Sequence, residues 1–283
     1  MCEISIVMPV YNADKYVKQA IESAVNQSFD DFEFIIINDG STDKTRDIVC
    51  SYDDNRIKLI ENEHDFINSL NKGLEIAHGK YFVRMDADDI MHIDRLKIQH
   101  AIMEAKPEIT VCSTWMIPFG ENIPKGAISS SLSGFIDYPL LHLLRACIFF
   151  HPTIMMRADF FRQHHQLKYD RDYIYAEDYK LWTEVAKQGG VFYIETQPLL
   201  YYRVSDSQIS NVRQIEQRNI SEKIKKEILA HFFNLNKEKL ADFSDLEKSL
   251  RTLIDKELMT EHELVDFYYT LFSKNKNTLN LRC

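Results

Sequence analysis

A chain of 283 residues, 45% hydrophobic and 27% charged, is long enough for one large α/β domain with an appendage or for two domains. Its net charge of −9 is unevenly placed: residues 213–283 carry 13 basic and 12 acidic side chains, leaving 21 and 31 in the first 212. An acidic body argues against nucleic acid as a partner, because a phosphate backbone needs a basic face. In chain order, Ile4–Pro9 reads as a short apolar strand. Tyr16 to Val25 follows at helical spacing, with Asn12 or Asp14 able to cap. Phe32–Ile37 is continuous and apolar, as a strand covered on both faces should be. Ser41-Thr42-Asp43 opens a helix through Tyr52, Ile57–Ile60 is a third strand, Phe66–Ala77 a helix and Tyr81–Met85 a fourth strand. This alternation predicts a mostly parallel sheet flanked by helices, with ligands beyond the carboxyl ends of its strands. Tyr11-Asn12, Asn38-Asp39-Gly40 and Asp86-Ala87-Asp88 stand at three such ends and should converge on one crevice.

Farther on, a helix is expected over Ile93–Ala105 and a strand over Ile109–Ile117. A Gly/Ser-rich loop (Gly126–Gly134) precedes an apolar helix. Thr153–Met156 reads as a strand, Ala176–Gln188 as a helix ending at Gly189-Gly190, and Val191–Val204 as one or two strands. The last seventy residues change character. Ile220, Ile224, Ile228 and Phe232 form one stripe; Leu246, Leu250, Leu253 and Ile254 a second; Leu264, Phe267, Tyr268 and Leu271 a third. Capping-box spacing at Ser244…Glu247 and Thr260…Glu263 supports a tail of three amphipathic helices. The expected division is therefore 1–212 and a helical extension over 213–283.

Five scattered cysteines (2, 50, 112, 147 and 283) have neither metal-ligand nor redox spacing, which predicts reduced thiols. The start enters a strand without a signal peptide. The longest apolar stretch, Pro139 to Met156, is broken by His142, Arg145, His151 and Pro152, too short and too charged to span a bilayer. A cytoplasmic protein is the expectation.

Chemistry concentrates first at Tyr81-Phe82-Val83-Arg84-Met85-Asp86-Ala87-Asp88-Asp89, where a buried strand runs into three carboxylates. Crowded carboxylates repel one another unless a cation neutralises them. An oxygen-rich site suits Mg²⁺ or Mn²⁺, commonly held by one or two carboxylates and the phosphates of a substrate. The stretch reads as a metal–diphosphate site; an acidic surface turn is the plainer alternative.

Six strings occur in order: Ser5-Ile6-Val7-Met8-Pro9-Val10-Tyr11-Asn12, Ile36 to Asp43, Arg84 to Asp89, His151-Pro152-Thr153, Glu177-Asp178-Tyr179-Lys180-Leu181-Trp182 and Tyr202-Arg203. Together they resemble the inverting family-two glycosyltransferases with the A-type fold, over roughly residues 3–212. The resemblance implies a UDP-sugar donor and a glycan or lipid-linked saccharide acceptor in surface polysaccharide or glycoconjugate synthesis. Pro9, Tyr11, Asp39, Arg84 and Asp86 would bind the nucleotide: Asp39 would accept the N3–H of the base and Tyr11 stack on it. Asp39-Gly40-Ser41 is otherwise only a turn and cap. Asp88, with Asp86, would hold the metal. Arg84 would pair with a phosphate or simply neutralise the cluster, and Asp89 could equally cap the next helix.

The resemblance makes Asp178 the general base, kept ionised by a helix N-terminus, with Glu177 and Trp182 lining the acceptor pocket. His151 is a sugar contact or a structural histidine, and Arg203 would close over the diphosphate from a flexible loop. Two departures stand out: Ser205 replaces a histidine able to join the metal, and Ile93 stands near the place of a usual proline. A phosphohydrolase using Asp86 and Asp88 as its nucleophile and acid, or a non-catalytic nucleotide-binding protein keeping the fold, are the alternatives. In the tail, Lys223, Lys225 and Lys226 beside the first stripe suggest an anionic membrane surface. The other reading has the helices pack on their own catalytic domain or on a second copy.

Overall fold

The computed structural model describes residues 2–121, 132–205, 212–241 and 244–281; the sequence loop expected at 126–134 falls largely outside them. The alternation read from the sequence is present. It runs β1 (Ile4–Val10), α1 (Val17–Val25), β2 (Phe32–Asn38), α2 (Thr45–Cys50), β3 (Ile57–Glu61), α3 (Phe66–Ile76) and β4 (Tyr81–Arg84). These four strands pair in parallel in the order β3-β2-β1-β4. Every residue of β1 and β2 is buried, which is why both read as unbroken apolar runs.

The second half departs from a parallel pattern. A two-residue β5 (Ile90–Met91) precedes α4 (Arg95–Ala105), and β6 (Val111–Gly120), β7 (Gly134–Phe135) and α5 (Pro139–Arg145) follow. Then come β8 (Met155–Arg157), α6 (Ala158–Gln163), α7 (Glu177–Lys187) and one thirteen-residue strand, β9 (Phe192–Val204). The sheet continues β4-β8-β6-β9-β5, with β8 antiparallel to both neighbours and β5 and β7 antiparallel to β9. His151–Thr153 is a 3-10 turn rather than the start of a strand, because Pro152 withholds an amide from any ladder. The four described half-chain cysteines, Cys2, Cys50, Cys112 and Cys147, are all free thiols.

Two apolar layers cover the sheet. Alternate residues of β1 (Ile4, Ile6, Met8, Val10) meet α1 and α4 on one face, whereas Val7 joins α3, α5 and α7 on the other. The tail forms α8 (Gln214–Leu235), α9 (Ser244–Asp255) and α10 (Glu261–Lys274). The Thr260–Glu263 capping box is present; the side chains of the Ser244–Glu247 box lie outside the described residues. Ile224, Ile228 and Phe232 of α8 are fully buried in the same layer as α5 and α7, together with Leu264, Tyr268 and Phe272 of α10.

The stripe on α8, on which the membrane reading rests, is thus covered by protein, whereas Leu246 and Leu253 of the second stripe stay partly exposed. The lysines beside the α8 stripe are engaged too: Lys225 with Glu222, Lys226 with Glu261, and Lys223 over the Tyr173 ring. No described helix is long and apolar enough to cross a membrane.

Helix α3 approaches the sheet through Gly73. A Cβ there would lie 2.2 Å from Val7 Cγ1 and 3.0 Å from Ile37 Cδ1. Gly73→Ala should destabilise the protein by about 1–3 kcal/mol through overpacking, outweighing the up to ~1 kcal/mol that alanine adds in a helix. A urea unfolding midpoint unchanged or raised would contradict this packing.

Candidate active site

The loops after β1 and β2 are fastened to each other. Asn12, at φ +46, accepts from the Thr42 amide at 2.8 Å, and its own amide donates to Ser41 Oγ at 3.0 Å. The Ala13 amide donates to Thr45 Oγ1 and the Asp14 amide to Asp43 Oδ2. Neither Asn12 nor Asp14 caps α1, which begins without a side-chain cap; both are spent on this seam, which sets Tyr11 beside Asp39. Asp39 is 2% exposed. Its Oδ1 accepts from the Asp65 amide (2.8 Å), Ser69 Oγ (2.7 Å) and Asn62 Nδ2 (3.3 Å), so the other oxygen is the one left to read a ligand. Tyr11 is half-exposed and stacks on His64, ring centroids 3.9 Å apart. Pro9 is buried within β1, so any contact it makes to a nucleotide is through its backbone carbonyl.

The acidic turn after β4 is gripped by three arginines. Arg84, buried, donates to Asp86 Oδ1 at 2.5 Å and to the Met85 carbonyl. Arg95 of α4 has no exposed surface; it donates to Gln99 Oε1 at 3.0 Å and to the Arg84 carbonyl at 3.1 Å. Arg203, at the end of β9, donates through Nε to the Asp88 carbonyl at 2.7 Å. Its guanidinium also bonds Gln19 Oε1 and lies over the Tyr16 and Phe119 rings. Arg203 is therefore a fixed strut of the turn and not a closing loop residue. Asp89 does not cap α4; it is fully buried, and its Oδ1 accepts the Arg203 amide at 2.8 Å.

Burial, then repulsion from Asp86, raises Asp88 to about 6; burial and both neighbouring carboxylates lift Asp89 well above its usual range. Burial lowers even Arg95, to about 9. Asp89 Oδ2, Arg84 Nε and one Arg95 terminal nitrogen are buried without a hydrogen-bond partner.

The crowded carboxylates, with Asp88 raised by burial and by Asp86, fit a hard divalent cation held by Asp86 and Asp88 with oxygen atoms from a ligand, and the orphaned guanidinium N–H groups suit the anionic side of such a ligand. Ser205, buried near this turn, offers no nitrogen. Among the described residues, three acidic or histidine ligands converge within 4.8 Å only at Glu3, His100 and Glu104, at the opposite end of β1. Glu104 there is already taken by Lys80 and Tyr81.

Glu177 and Asp178 open α7. Asp178 Oδ1 accepts the Tyr179 amide at 2.7 Å. Asp178 nevertheless binds its proton more tightly than a helix N-terminus alone would allow: burial raises it to about 6, with Asp86 adding to the rise and Arg84 opposing it. Glu177, 8% exposed with Oε2 unpartnered, rises to about 7 from burial and from Asp178. The two segments 90 residues apart thus share one field. His151 bonds the Tyr169 hydroxyl at 2.8 Å, and burial beside Arg84 holds the imidazole well below its usual range, so it is neutral. Trp182 has no exposed surface and packs edge-on to His151; it belongs to the core and cannot line an acceptor pocket. A cleft of about 510 Å³ opens on Asp178 between α5, α7 and α8, lined by Arg145, Cys147, Gln217, Arg218 and Lys225.

Several residues here carried no readable signal. Tyr169 is tied to α3 by paired bonds with Asn71 (2.8 and 2.9 Å), and Arg171 pairs with Asp65 at the start of α3. These bonds strap the segment before Asp178 to the helix beside Asp39. Arg95 and Gln99 share the face of Leu96 and Met103 on α4. Two long polar residues at i and i+4 on an otherwise apolar face were the available hint.

The family model described as glycosyl transferase family 2 matches residues 5–164. An uncharacterized glycosyltransferase of Haemophilus influenzae is 39% identical over 244 residues, 82% of this chain and 74% of its own length. In Escherichia coli, UDP-Glc:alpha-D-GlcNAc-diphosphoundecaprenol beta-1,3-glucosyltransferase WfgD is 28% identical across 74% of this chain and 79% of its own. Among solved structures, S. aureus TarS 1–349 in complex with UDP-GlcNAc aligns at TM-score 0.62, with 18% identity, over 87% of this chain and 77% of that one. The mannosyltransferase PcManGT from Pyrobaculum calidifontis, in complex with GDP-Man and Mn²⁺, aligns at 0.59, with 15% identity, over 98% and 87%. Both show that the fold is the A-type glycosyltransferase fold.

The raised carboxyls have a thermodynamic consequence. A native carboxyl near 6 or 7 binds its proton more tightly than the unfolded chain, whose values lie near 4, so stability falls as pH rises through that window. In a chelator, the thermal stability of Asp178→Asn relative to the wild type should increase from pH 5.5 to 7.5, the opposing contribution of neutral His151 being common to both proteins. A relative stability that shrinks over that range contradicts the assignment.

Proposed function

The chain belongs to glycosyl transferase family 2, and from that membership we propose an inverting, metal-dependent transfer of a sugar from a UDP-sugar to an acceptor hydroxyl. What supports the reading is the family match together with the acidic turn in which Arg84 holds Asp86 at 2.5 Å beside the buried Asp88. Asp39 Oδ2 would accept the N3–H of uracil, with Tyr11 as its stacking surface. Asp86 and Asp88 would hold Mn²⁺ or Mg²⁺, which supplies charge neutralisation for the departing diphosphate. Asp178, near 6, is deprotonated at neutral pH yet basic enough to take the proton of an acceptor hydroxyl as its oxygen attacks the anomeric carbon. One displacement on the face opposite the leaving group inverts that carbon and uses no covalent nucleophile.

The acceptor would enter by the cleft on Asp178. The arginine and lysine side chains there suit a sugar carrying phosphate, and the acceptor named for WfgD, a lipid diphosphate saccharide, supports a lipid-linked or glycan acceptor in surface polysaccharide synthesis. Residues 1–212 would be the catalytic domain, completed by α8 from 213–283. The phosphohydrolase reading of Asp86 and Asp88 gives no role to Asp39 or Asp178, and family membership sets it aside.

Two variants test the roles separately. Asp178→Asn should lower transfer by ~10²–10⁴-fold while UDP affinity by calorimetry stays within a few-fold; surviving transfer removes Asp178 as the base. Asp39→Ala should weaken UDP binding by about 1–3 kcal/mol, the cost of an unsatisfied donor. UDP binding that ignores Mn²⁺ and Asp39 alike would overturn the donor assignment.

A further inference from the structure

We propose that His64 is a surrogate for the donor's base: its imidazole occupies the nucleobase position in the ligand-free protein and must be displaced before a nucleotide binds. The inference rests on the UDP reading above. A pyrimidine in this site would need an aromatic surface and a carboxylate oxygen for its ring N–H. His64 takes that surface itself and holds a ring nitrogen close to that oxygen. Its ring stacks on Tyr11 at 3.9 Å with an interplanar angle of 23°. Its Nδ1 lies 3.2 Å from Asp39 Oδ2 and 3.1 Å from the Asp39 carbonyl. With three donors already on Oδ1, that Oδ2 is the one acceptor Asp39 has for a ligand.

Two rings 3.9 Å apart leave no room for a third between them. A base that stacks on this face of Tyr11 and bonds Oδ2 therefore replaces the imidazole instead of joining it. The backbone of His64 lies over Gly40: a Cβ on that glycine would meet the His64 amide nitrogen at 3.2 Å. The movement belongs to the side chain, which is 60% exposed and has open solvent to swing into. Gly40, at φ +77, both makes the turn and lets the His64 backbone come this close.

A site closed by its own side chain binds with an apparent dissociation constant raised by the inverse of the open fraction. A stacked ring and one hydrogen bond to Asp39 put that fraction near a tenth, so the expected effect is about tenfold. His64 is thus a specificity element, since only a ligand that restores both lost contacts recovers what its displacement costs.

The test is calorimetric titration of UDP in saturating Mn²⁺ against the wild type, His64→Ala and His64→Phe. Removing the ring should tighten UDP binding about tenfold. Phenylalanine, which stacks but cannot donate to Asp39, should fall between alanine and the wild type. In the ¹⁵N spectrum of histidine-labelled wild type, one imidazole should lose its bonded Nδ1 signature on UDP addition, and that signal should be missing from His64→Ala. An alanine variant that binds UDP equally or more weakly makes His64 a partner of the base and overturns the proposal while leaving the donor reading intact. Failure of all three proteins to bind UDP removes the donor reading, and the surrogate with it.

Discussion

The site is organised around an electrostatic conflict: three carboxylates in a four-residue turn, one of them sealed from water. Such a turn is tolerable only where positive charge is delivered from fixed directions. Arg84 comes from the strand that leads into it, Arg95 from the helix beneath, and Arg203 from the far end of the longest strand. Arg203 could not reach the turn unless the sheet had the order it has. β9 must run back past β5 to bring Arg203 and its amide to Asp88 and Asp89. The antiparallel pairing of β5 with β9, in the mixed second half of the sheet, is thus what completes the turn at the end of the parallel first half. Asp86 and Asp88 remain at the surface of this arrangement, under-neutralised and ready for a cation.

The nucleotide side is built by a different device. Here nearly every bond is short-range and polar: the seam between residues 11–14 and 41–45, and the three donors on Asp39 Oδ1. One carboxylate oxygen is saturated so that the other faces outward in a single defined direction. Neutral hydrogen bonds can aim a group in this way at little electrostatic cost, whereas the acidic turn needs whole charges.

What the sequence disclosed follows from how far each signal reaches. Runs such as Phe32–Ile37 are local and were read correctly as strands, and the carboxylates at their ends were visible because polar residues after apolar runs are rare. Side-chain direction was not local. Trp182 was legible as part of an amphipathic helix but not as a residue with no exposed surface. Arg203 was visible as a cation, but its fixed attachment depends on a strand pairing between residues more than a hundred apart. The two-residue β5 is too short to leave a periodic trace. The stripe on α8 was real, but an apolar stripe does not say whether protein or lipid covers it. His64 and Asp65, in a polar stretch with no repeat, gave no sign of their place beside Asp39. The raised proton affinity of Asp178 reversed an expectation drawn from the helix N-terminus, because burial outweighs one amide bond.

The straps across α3 carry one further consequence. Asn71 holds Tyr169 and Asp65 holds Arg171, so the same helix is tied to the cradle of Asp39 and to the stretch of chain that presents Asp178. The span from one carboxylate to the other is therefore set like the jaws of a caliper, independent of what lies between. Under the roles proposed for them, a complete substrate would reach both jaws, and a spent one, shortened by its sugar, would keep only the nucleotide jaw.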